Sequence, residues 1–413
     1  MRITILYQFF QGDTEPGHNL MLALARYLQA CGEKVTVVAG EFGYMDPKPV
    51  NVPLRHRLMR QETIENVQII RTFSYNYGHS GLDRRFLSMG SFSFSCLVGL
   101  FRGPRPDVIY ASSPPLLPML SAWVASRLRG VPLVLEVRDL WPASLVELAP
   151  LKSTAPVRVM SALERFLYNQ SALIITLTEG IRQNIIDRGW PPEKVHTIRY
   201  GVSADRFFPD DDAAKRVRRE EGWENFKIVL YLGAHGLAYD LDVILRAADR
   251  LRERPDVRFV LIGDGLEKER LRDAAKAMGL NNVAFRPPIP ARDAPAYINA
   301  ADLCVATLRN ASLFRGAVPS KLSEYMACGK AVVVGVRGEA ETIVENAGAG
   351  MVFDPGDDGQ LAACVKALID APEKRAAMGH AGFRAAREHF SLERCQAELR
   401  GLLAGIVQGR GHV

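Results

Sequence analysis

At 413 residues the chain is longer than one hydrophobic core usually covers, so two domains of about 200 residues each are expected. Hydrophobic content of 48% and charged content of 24% exclude a disordered chain, and the six cysteines (Cys31, Cys96, Cys304, Cys328, Cys364, Cys395) are too scattered for a disulfide framework or a zinc site, which fits a reducing cytoplasm. The net charge of +6 sits wholly in the first half: residues 1–200 hold 22 Lys and Arg against 16 Asp and Glu, residues 201–413 hold 30 against 30, and no nucleic-acid partner is expected.

Arg2 to Phe10 alternates like a strand and meets Gln11, Asp13 and Glu15 too soon for a signal peptide. No apolar run approaches the roughly 20 residues of a spanning helix, so the chain is not expected to cross a membrane. The turn-rich QGDTEPGH follows, then helical periodicity over Asn19 to Ala30 and a second strand, Val35 to Ala39. This order opens a doubly wound α/β domain, in which ligands collect at the carboxyl ends of strands, where Gly17 and His18 lie. His18 reads either as a helix cap or as a ligand-facing group.

Residues 51–105 are arginine-rich: Arg55, Arg57, Arg60, Arg71, Arg84, Arg85, Arg102 and Arg105, with His56, surround the apolar, serine-broken stretch Phe86 to Phe101. That stretch reads either as a helix in a bilayer interface, its basic neighbours meeting anionic head groups, or as a buried core helix beside a solvated loop. Pro106 to Tyr110 and Pro132 to Val137 are strands four and five of the first sheet. The latter runs into Glu136, Arg138, Asp139, Trp141 and Pro142, charged groups at a strand's carboxyl end that would handle an acceptor or a leaving group, or else form an internal pair in a loop. Ala172 to Leu177 and His196 to Tyr200 complete this half, and Gly201 to Asp212 reads as an interdomain linker.

Phe226 to Leu232 begins a second strand, glycine loop, helix unit, with Gly233 and Gly236 able to let backbone approach a phosphate. Arg258 to Ile262 ends in Gly263, Asp264 and Gly265; Val283 to Arg286 precedes PPIP, a wall suited to a flat base; Asp302 to Thr307 is another strand. In VPSKLSEYMACGK, Pro319 presets a helix start, Ser320 offers a cap oxygen, and Leu322, Tyr325 and Met326 recur at helical spacing before Gly329. Lys321 in the first turn is electrostatically misplaced against the helix dipole unless an anion is present, and a phosphate would satisfy it together with the orphan N–H groups. Glu324, on the same face, could then accept hydrogen bonds from sugar hydroxyls; the alternative is an ordinary solvated Lys321–Glu324 pair. Ala331 to Val336 is a strand, and an amphipathic helix from Ser391 closes the chain.

Gly233 with Gly236, the GDG of 263–265, RDLWP, GAHGLA and PSKLSEYMACGK followed by a strand and GEAE together resemble the nucleotide-sugar glycosyltransferases of family 4, which have the GT-B fold, over nearly the whole chain. Within that family they are similar to the bacterial subgroup of the fucosamine transferase of surface-polysaccharide assembly. The resemblance implies an α/β protein of two tandem Rossmann-like doubly wound domains with a central cleft. Residues 1–203 would bind the acceptor, 204–385 the nucleotide sugar, and the helical segment 386–413 would cross back to the first domain. It implies a retaining transfer from a nucleotide sugar, taken as UDP-linked, to a saccharide or lipid-linked saccharide, without a metal or other cofactor, in the cytoplasm or on the inner membrane face. By position, Gly233, Ala234, His235 and Lys321 would face the diphosphate, Glu324 the ribose, and Gly265 and Pro287 the base. Gly263, Ser320 and Leu322 would complete the donor site; Gly17, His18, Arg138 and Asp139 would line the sugar and acceptor side, with His18, Arg138, Asp139 and Lys321 as the catalytic set. Where the family often carries a glutamate eight residues before Glu324 this chain has Gly316, with Arg315 available as a replacement contact. Two other classes remain open: a non-catalytic nucleotide-sugar binder, and a UDP-sugar 2-epimerase.

Overall fold

A computed structural model of the chain describes residues 1–15, 20–43, 58–76, 82–148 and 154–409. Two compact units emerge: Met1–Arg199 with Cys395–Val413, and Tyr200–Arg394.

The first unit is built on β1 (Arg2–Leu6), β2 (Lys34–Ala39), β3 (Met59–Ile64), β4 (Val67–Thr72), β5 (Val108–Ser113), β6 (Leu133–Val137), β7 (Leu173–Thr176) and β8 (Val195–Thr197). They form one sheet in the order β3-β4-β2-β1-β5-β6-β7-β8, parallel except for the β3–β4 hairpin. β5, β6 and β7 are buried along their whole length, as strands covered on both faces must be. The order reverses between β1 and β5, the switch point at which such sheets bind ligands.

The hairpin corrects the expectation for residues 51–105. It turns through Glu65 and Asn66, both at positive φ, the conformation a two-residue hairpin turn demands, and it makes the two strands read as fourth and fifth the fifth and sixth. Arg71 does not belong to a solvated basic loop: at 1% exposure it donates to the carbonyls of Phe10 and Gly40 (2.5 and 2.9 Å) and to Glu62 (2.7 Å). Arg60 also pairs with Glu62. Arg55, His56 and Arg57 lie outside the described residues.

The helix Leu82–Arg102 contains the serine-broken stretch, and its polarity is turned inside out. Ser88, Phe92, Ser95, Cys96 and Leu100 face inward, while Leu87, Phe94, Val98 and Phe101 are exposed. Two of the inward hydroxyls are satisfied, Ser88 accepting from the Gln8 amide (3.2 Å) and Ser95 donating to the Phe73 carbonyl (2.5 Å), while the buried Ser93 hydroxyl has no partner among the described residues. The helix is therefore neither wholly buried nor a detached amphipath.

The second unit has a six-stranded, all-parallel sheet of β9 (Lys227–Leu232), β10 (Val257–Ile262), β11 (Val283–Arg286), β12 (Leu303–Thr307), β13 (Ala331–Gly335) and β14 (Gly350–Val352), in the order β11-β10-β9-β12-β13-β14. Its switch point lies between β9 and β12. The core gathers Val229, Tyr231, Phe259, Leu261, Val305 and Val333 under the helix Asp242–Arg250.

The segment read as a linker is bound to the second unit. Asp210 caps the helix Asp211–Glu220 by accepting from Ala213 N–H (2.9 Å), so the acids of 210–212 start a helix in place of a flexible joint. Asn299 donates to the Phe208 carbonyl (2.9 Å), and Val202 N–H to the Phe390 carbonyl (2.7 Å). The final helix, Leu392–Gly409, brings Cys395, Leu399 and Leu403 into the core of the first unit beside Leu24, Leu28 and Val35, and Arg400 reaches Glu33 at 2.7 Å. The preceding helix, Pro372–His389, belongs to the second unit, so the return begins at Cys395 and not at 386.

Candidate functional site

In the second unit the loops that leave β9 and β10 interlock through their backbones. Gly233 N–H donates to the Ile262 carbonyl (2.9 Å), His235 N–H to Asp264 (2.8 Å), and Glu267 N–H back to His235 (2.9 Å). This close approach explains the glycines. Gly233, Gly263 and Gly265 have φ of +150°, +148° and +155°, a region that side chains rarely adopt. A Cβ at Gly263 would collide with the Gly233 carbonyl, and one at Gly265 would lie 2.5 Å from the His235 carbonyl oxygen. At Gly233 the obstacle is Lys321, whose Nζ would be 2.7 Å from the added carbon.

Lys321 enters from the helix Ser320–Ala327. Pro319 occupies the N-cap position and brings no side-chain oxygen, which corrects the expectation that Ser320 caps the helix: Ser320 is the first helical residue, and its carbonyl accepts from Ser323 Oγ (2.9 Å). Lys321 is 7% exposed, so it is not half of a solvated pair with Glu324. Its Nζ lies 3.6 Å from the centroid of the Tyr231 ring and 4.7 Å from that of Tyr239, and it has no hydrogen-bond partner among the described residues. Burial drives its pKa well down, with Glu324 pulling the other way. A buried, unpartnered ammonium costs free energy until an anion arrives.

His235 turns its ring inward, fully buried, 5.9 Å from Tyr231 and 6.1 Å from Phe285, with neither nitrogen partnered among the described residues. Burial, then Lys268 and Lys321, push its pKa down to about 3, so it is neutral and serves as a wedge behind the loop. Ala234 offers its carbonyl to Tyr231 OH (2.7 Å), and Leu322 is buried beneath the helix. Glu324 and Gly316 are half-buried; Pro287 and Arg315 are exposed.

Three contributors escape the sequence reading. Lys268 clamps the GDG turn by donating to the Gly263 carbonyl (2.8 Å) and to Arg286 (3.2 Å). Tyr325, read only as an apolar helix position, accepts from Leu232 N–H (2.9 Å), tying the Lys321 helix to the end of β9. Tyr231 supplies the face beneath Lys321. The one signal was spacing: Lys268 follows Gly263 by five residues, within a side chain's reach of the turn.

In the first unit, Gly17 and His18 lie outside the described residues. Arg138 follows β6, with its guanidinium 5.0 Å from the Tyr7 ring centroid and Nε 3.9 Å from Glu136. Glu136 is buried and accepts from Tyr110 OH (2.7 Å) and Ser112 Oγ (2.5 Å). Asp139 does not pair with Arg138. Burial raises its pKa, against hydrogen bonds from Ser144 and the Leu140 N–H, so it steadies the turn into the helix Ala143–Leu148. Among the described residues no cluster of His, Cys, Asp or Glu could hold a metal ion, and no helix is long and apolar enough to cross a membrane.

Residues 214–385 match the family model described as Glycosyl transferases group 1, and residues 18–201 that of the Glycosyl transferase 4-like domain. The GDP-mannose-dependent alpha-(1-6)-phosphatidylinositol monomannoside mannosyltransferase of Mycolicibacterium smegmatis is 30% identical over 60% of this chain and 64% of its own. The putative colanic acid biosynthesis glycosyl transferase WcaI of Escherichia coli is 28% identical over 61% and 63%. The chain thus spans less than two thirds of the length of these relatives. Among solved structures, Anabaena HepE, crystallised with UDP and glucose, superposes with a TM-score of 0.74 over 98% of this chain and all of that one at 20% identity, a likeness of fold.

Proposed function

From a chain whose first half belongs to the glycosyl transferase 4-like domains and whose second half belongs to the group 1 glycosyl transferases of the GT-B superfamily, we propose a retaining hexosyltransferase. It moves a sugar from a nucleotide sugar, UDP-linked in this reading, to a hydroxyl of a lipid-linked saccharide in bacterial surface-polysaccharide assembly, at the cytoplasmic membrane face. The observation that carries the reading is Lys321 Nζ, buried and without a partner beside a loop in which glycines hold backbone close to backbone.

The chemistry asks for little else. The acceptor oxygen bonds to the anomeric carbon as the bond to the diphosphate oxygen breaks. The leaving diphosphate takes the acceptor's proton on the same face, which retains configuration without a metal. Charge rises on the diphosphate in the transition state, where fixed N–H donors and a pre-placed cation act most strongly. Lys321, with the first-turn N–H groups of its helix, is assigned that charge; Glu324 is assigned the ribose, Gly265 and Pro287 the base, and Arg315 and Gly316 the sugar edge of the donor. Acceptor recognition falls to the first unit, through Arg138 with Asp139, and Gly17 and His18. The motifs shared with the fucosamine-transferase subgroup support a surface-polysaccharide acceptor, and the UDP bound by HepE supports the base.

The test is a thermal-shift panel of UDP, GDP, ADP, TDP and their sugar conjugates, because a ligand of the native state raises its apparent stability. A shift with UDP compounds that disappears in Lys321→Ala is expected, with turnover reduced about 10²-fold, the scale of a lost oxyanion donor. A GDP response would replace the base, release of a rearranged sugar without acceptor would point to epimerisation, and no response to any nucleotide would sink the reading.

A further inference from the structure

The helix Leu82–Arg102 offers solvent the wrong face. Phe94 is 75% exposed and Leu87 59%, and with Val98 and Phe101 they recur at intervals of 7, 4 and 3 residues, one side of the helix. The adjoining helix Leu117–Arg129 adds exposed Leu120 and Leu128. A buried face lined with serines, beneath an exposed face of phenylalanine and leucine, is what a sequence produces when the outer surface also has an apolar neighbour.

Charge identifies that neighbour. From Arg84 to Arg129 there are six arginines and a single acid, Asp107, which pairs with Arg2 at 3.3 Å. Four of the arginines meet at the C-terminal ends of the two helices. Arg129 lies 5.2 Å from the Phe101 ring centroid, and Arg105 stands close enough to depress the Arg129 pKa further after burial has done so. Arg102, Arg105 and Arg127 are exposed and ion-pair with no described residue. Aromatic and aliphatic side chains along one helix, with arginines at its end and no acid among them, complement an anionic bilayer surface: the rings enter the acyl boundary and the guanidinium groups stay among the phosphates.

We infer that this stripe, Leu87, Phe94, Val98 and Phe101 with Leu120 and Leu128, docks the first unit on the surface of an anionic lipid bilayer. The inference deepens the lipid-linked-acceptor reading and rests on it for its purpose, while its geometry belongs to the first unit alone.

The experiment is sedimentation of the full chain with vesicles of phosphatidylcholine, and of an equal mixture of phosphatidylcholine and phosphatidylglycerol, at low and high salt. Binding to the mixed vesicles, weakened by salt, is expected. Phe94→Ser should reduce it about tenfold or more, the effect of withdrawing one phenyl ring from lipid. Arg102→Glu with Arg127→Glu should reduce it at least as much. Both variants change exposed side chains, so melting temperature and the nucleotide-sugar thermal shift should stay at wild-type values. Equal binding by wild type and Phe94→Ser, or no binding to mixed vesicles, would overturn the inference, as would a dimer that Phe94→Ser dissociates without any vesicle binding. If vesicle binding fails while the nucleotide shift survives, only the docking surface falls; if vesicle binding holds while no nucleotide shifts the protein, only the transferase reading falls.

Discussion

Replacing Lys321 by methionine should make the ligand-free protein more stable and a poorer binder of nucleotide sugars. Lys321 Nζ is buried without a partner, and an unsatisfied buried donor costs about 1–3 kcal/mol. Methionine has similar length, leaves little cavity and makes favourable sulfur–aromatic contacts with the Tyr231 and Tyr239 faces that Lys321 now covers. A net gain of about 2 kcal/mol corresponds to a rise of about 4–8 °C in the melting of a unit the size of Tyr200–Arg394. The pH dependence has a fixed sign. The folded pKa lies below the ordinary value of 10.5, so the unfolded chain binds more protons at this side chain, and stability rises with pH between the depressed value and 10.5. A bound diphosphate favours the ammonium and so raises the Lys321 pKa, so across that window donor binding takes up protons, weakens as pH rises, and shows a calorimetric enthalpy that depends on the buffer. Lys321→Met should abolish the uptake and cost about 1.5–3 kcal/mol of affinity, roughly tenfold to a hundredfold. A melting temperature that falls, or unchanged affinity, would refute the assignment.

Gly263→Ala should destabilise more than Gly233→Ala, because its methyl meets a carbonyl while that at Gly233 meets the movable end of Lys321; both carry a strain of about 1–3 kcal/mol from positive φ, and urea melts would rank them. His235→Leu should flatten the acid limb of the stability curve. The folded pKa of about 3 lies below 6.5, so stability is full above pH 6.5 and is lost as pH falls toward 3, which melting at stepped pH would follow. Glu136→Ala should cost about 1–3 kcal/mol by removing the buried carboxylate that accepts from Ser112 Oγ and Tyr110 OH, read from thermal melts. Leu403→Ala, in the first unit's core, should cost about 2–5 kcal/mol and lower the transition of that unit.

The parts of the fold that could be read from the sequence were those in which one residue pattern has one physical cause. Apolar runs such as Ala331–Gly335, or Leu133–Val137 broken only by Glu136, mark parallel strands, and glycines after a strand mark close backbone approach. The β3–β4 hairpin could not be read in this way, since Arg60 and Arg71 count as solvated charge until tertiary carbonyls and Glu62 satisfy them. The acids of 210–212 read as linker because a cap and a polar loop use the same residue types. In the site, Lys321 stood out for its position at a helix start, whereas its depth could not be foreseen, because burial comes from Tyr231 and Tyr239, roughly 80 to 90 residues earlier. Lys268 and Tyr325 act through backbone carbonyls and amides, contacts that leave no mark in a residue pattern.

The first unit draws part of its core from the far end of the chain: Cys395, Leu399 and Leu403 pack against Leu24, Leu28 and Val35, and Arg400 pairs with Glu33. During synthesis that unit therefore remains open while the whole of Tyr200–Arg394 emerges. The second unit, contiguous in sequence, can close first, and the unit begun first is completed last. A chaperone that shields apolar surface on nascent chains would have its longest engagement with the sheet of β1, β2 and β5.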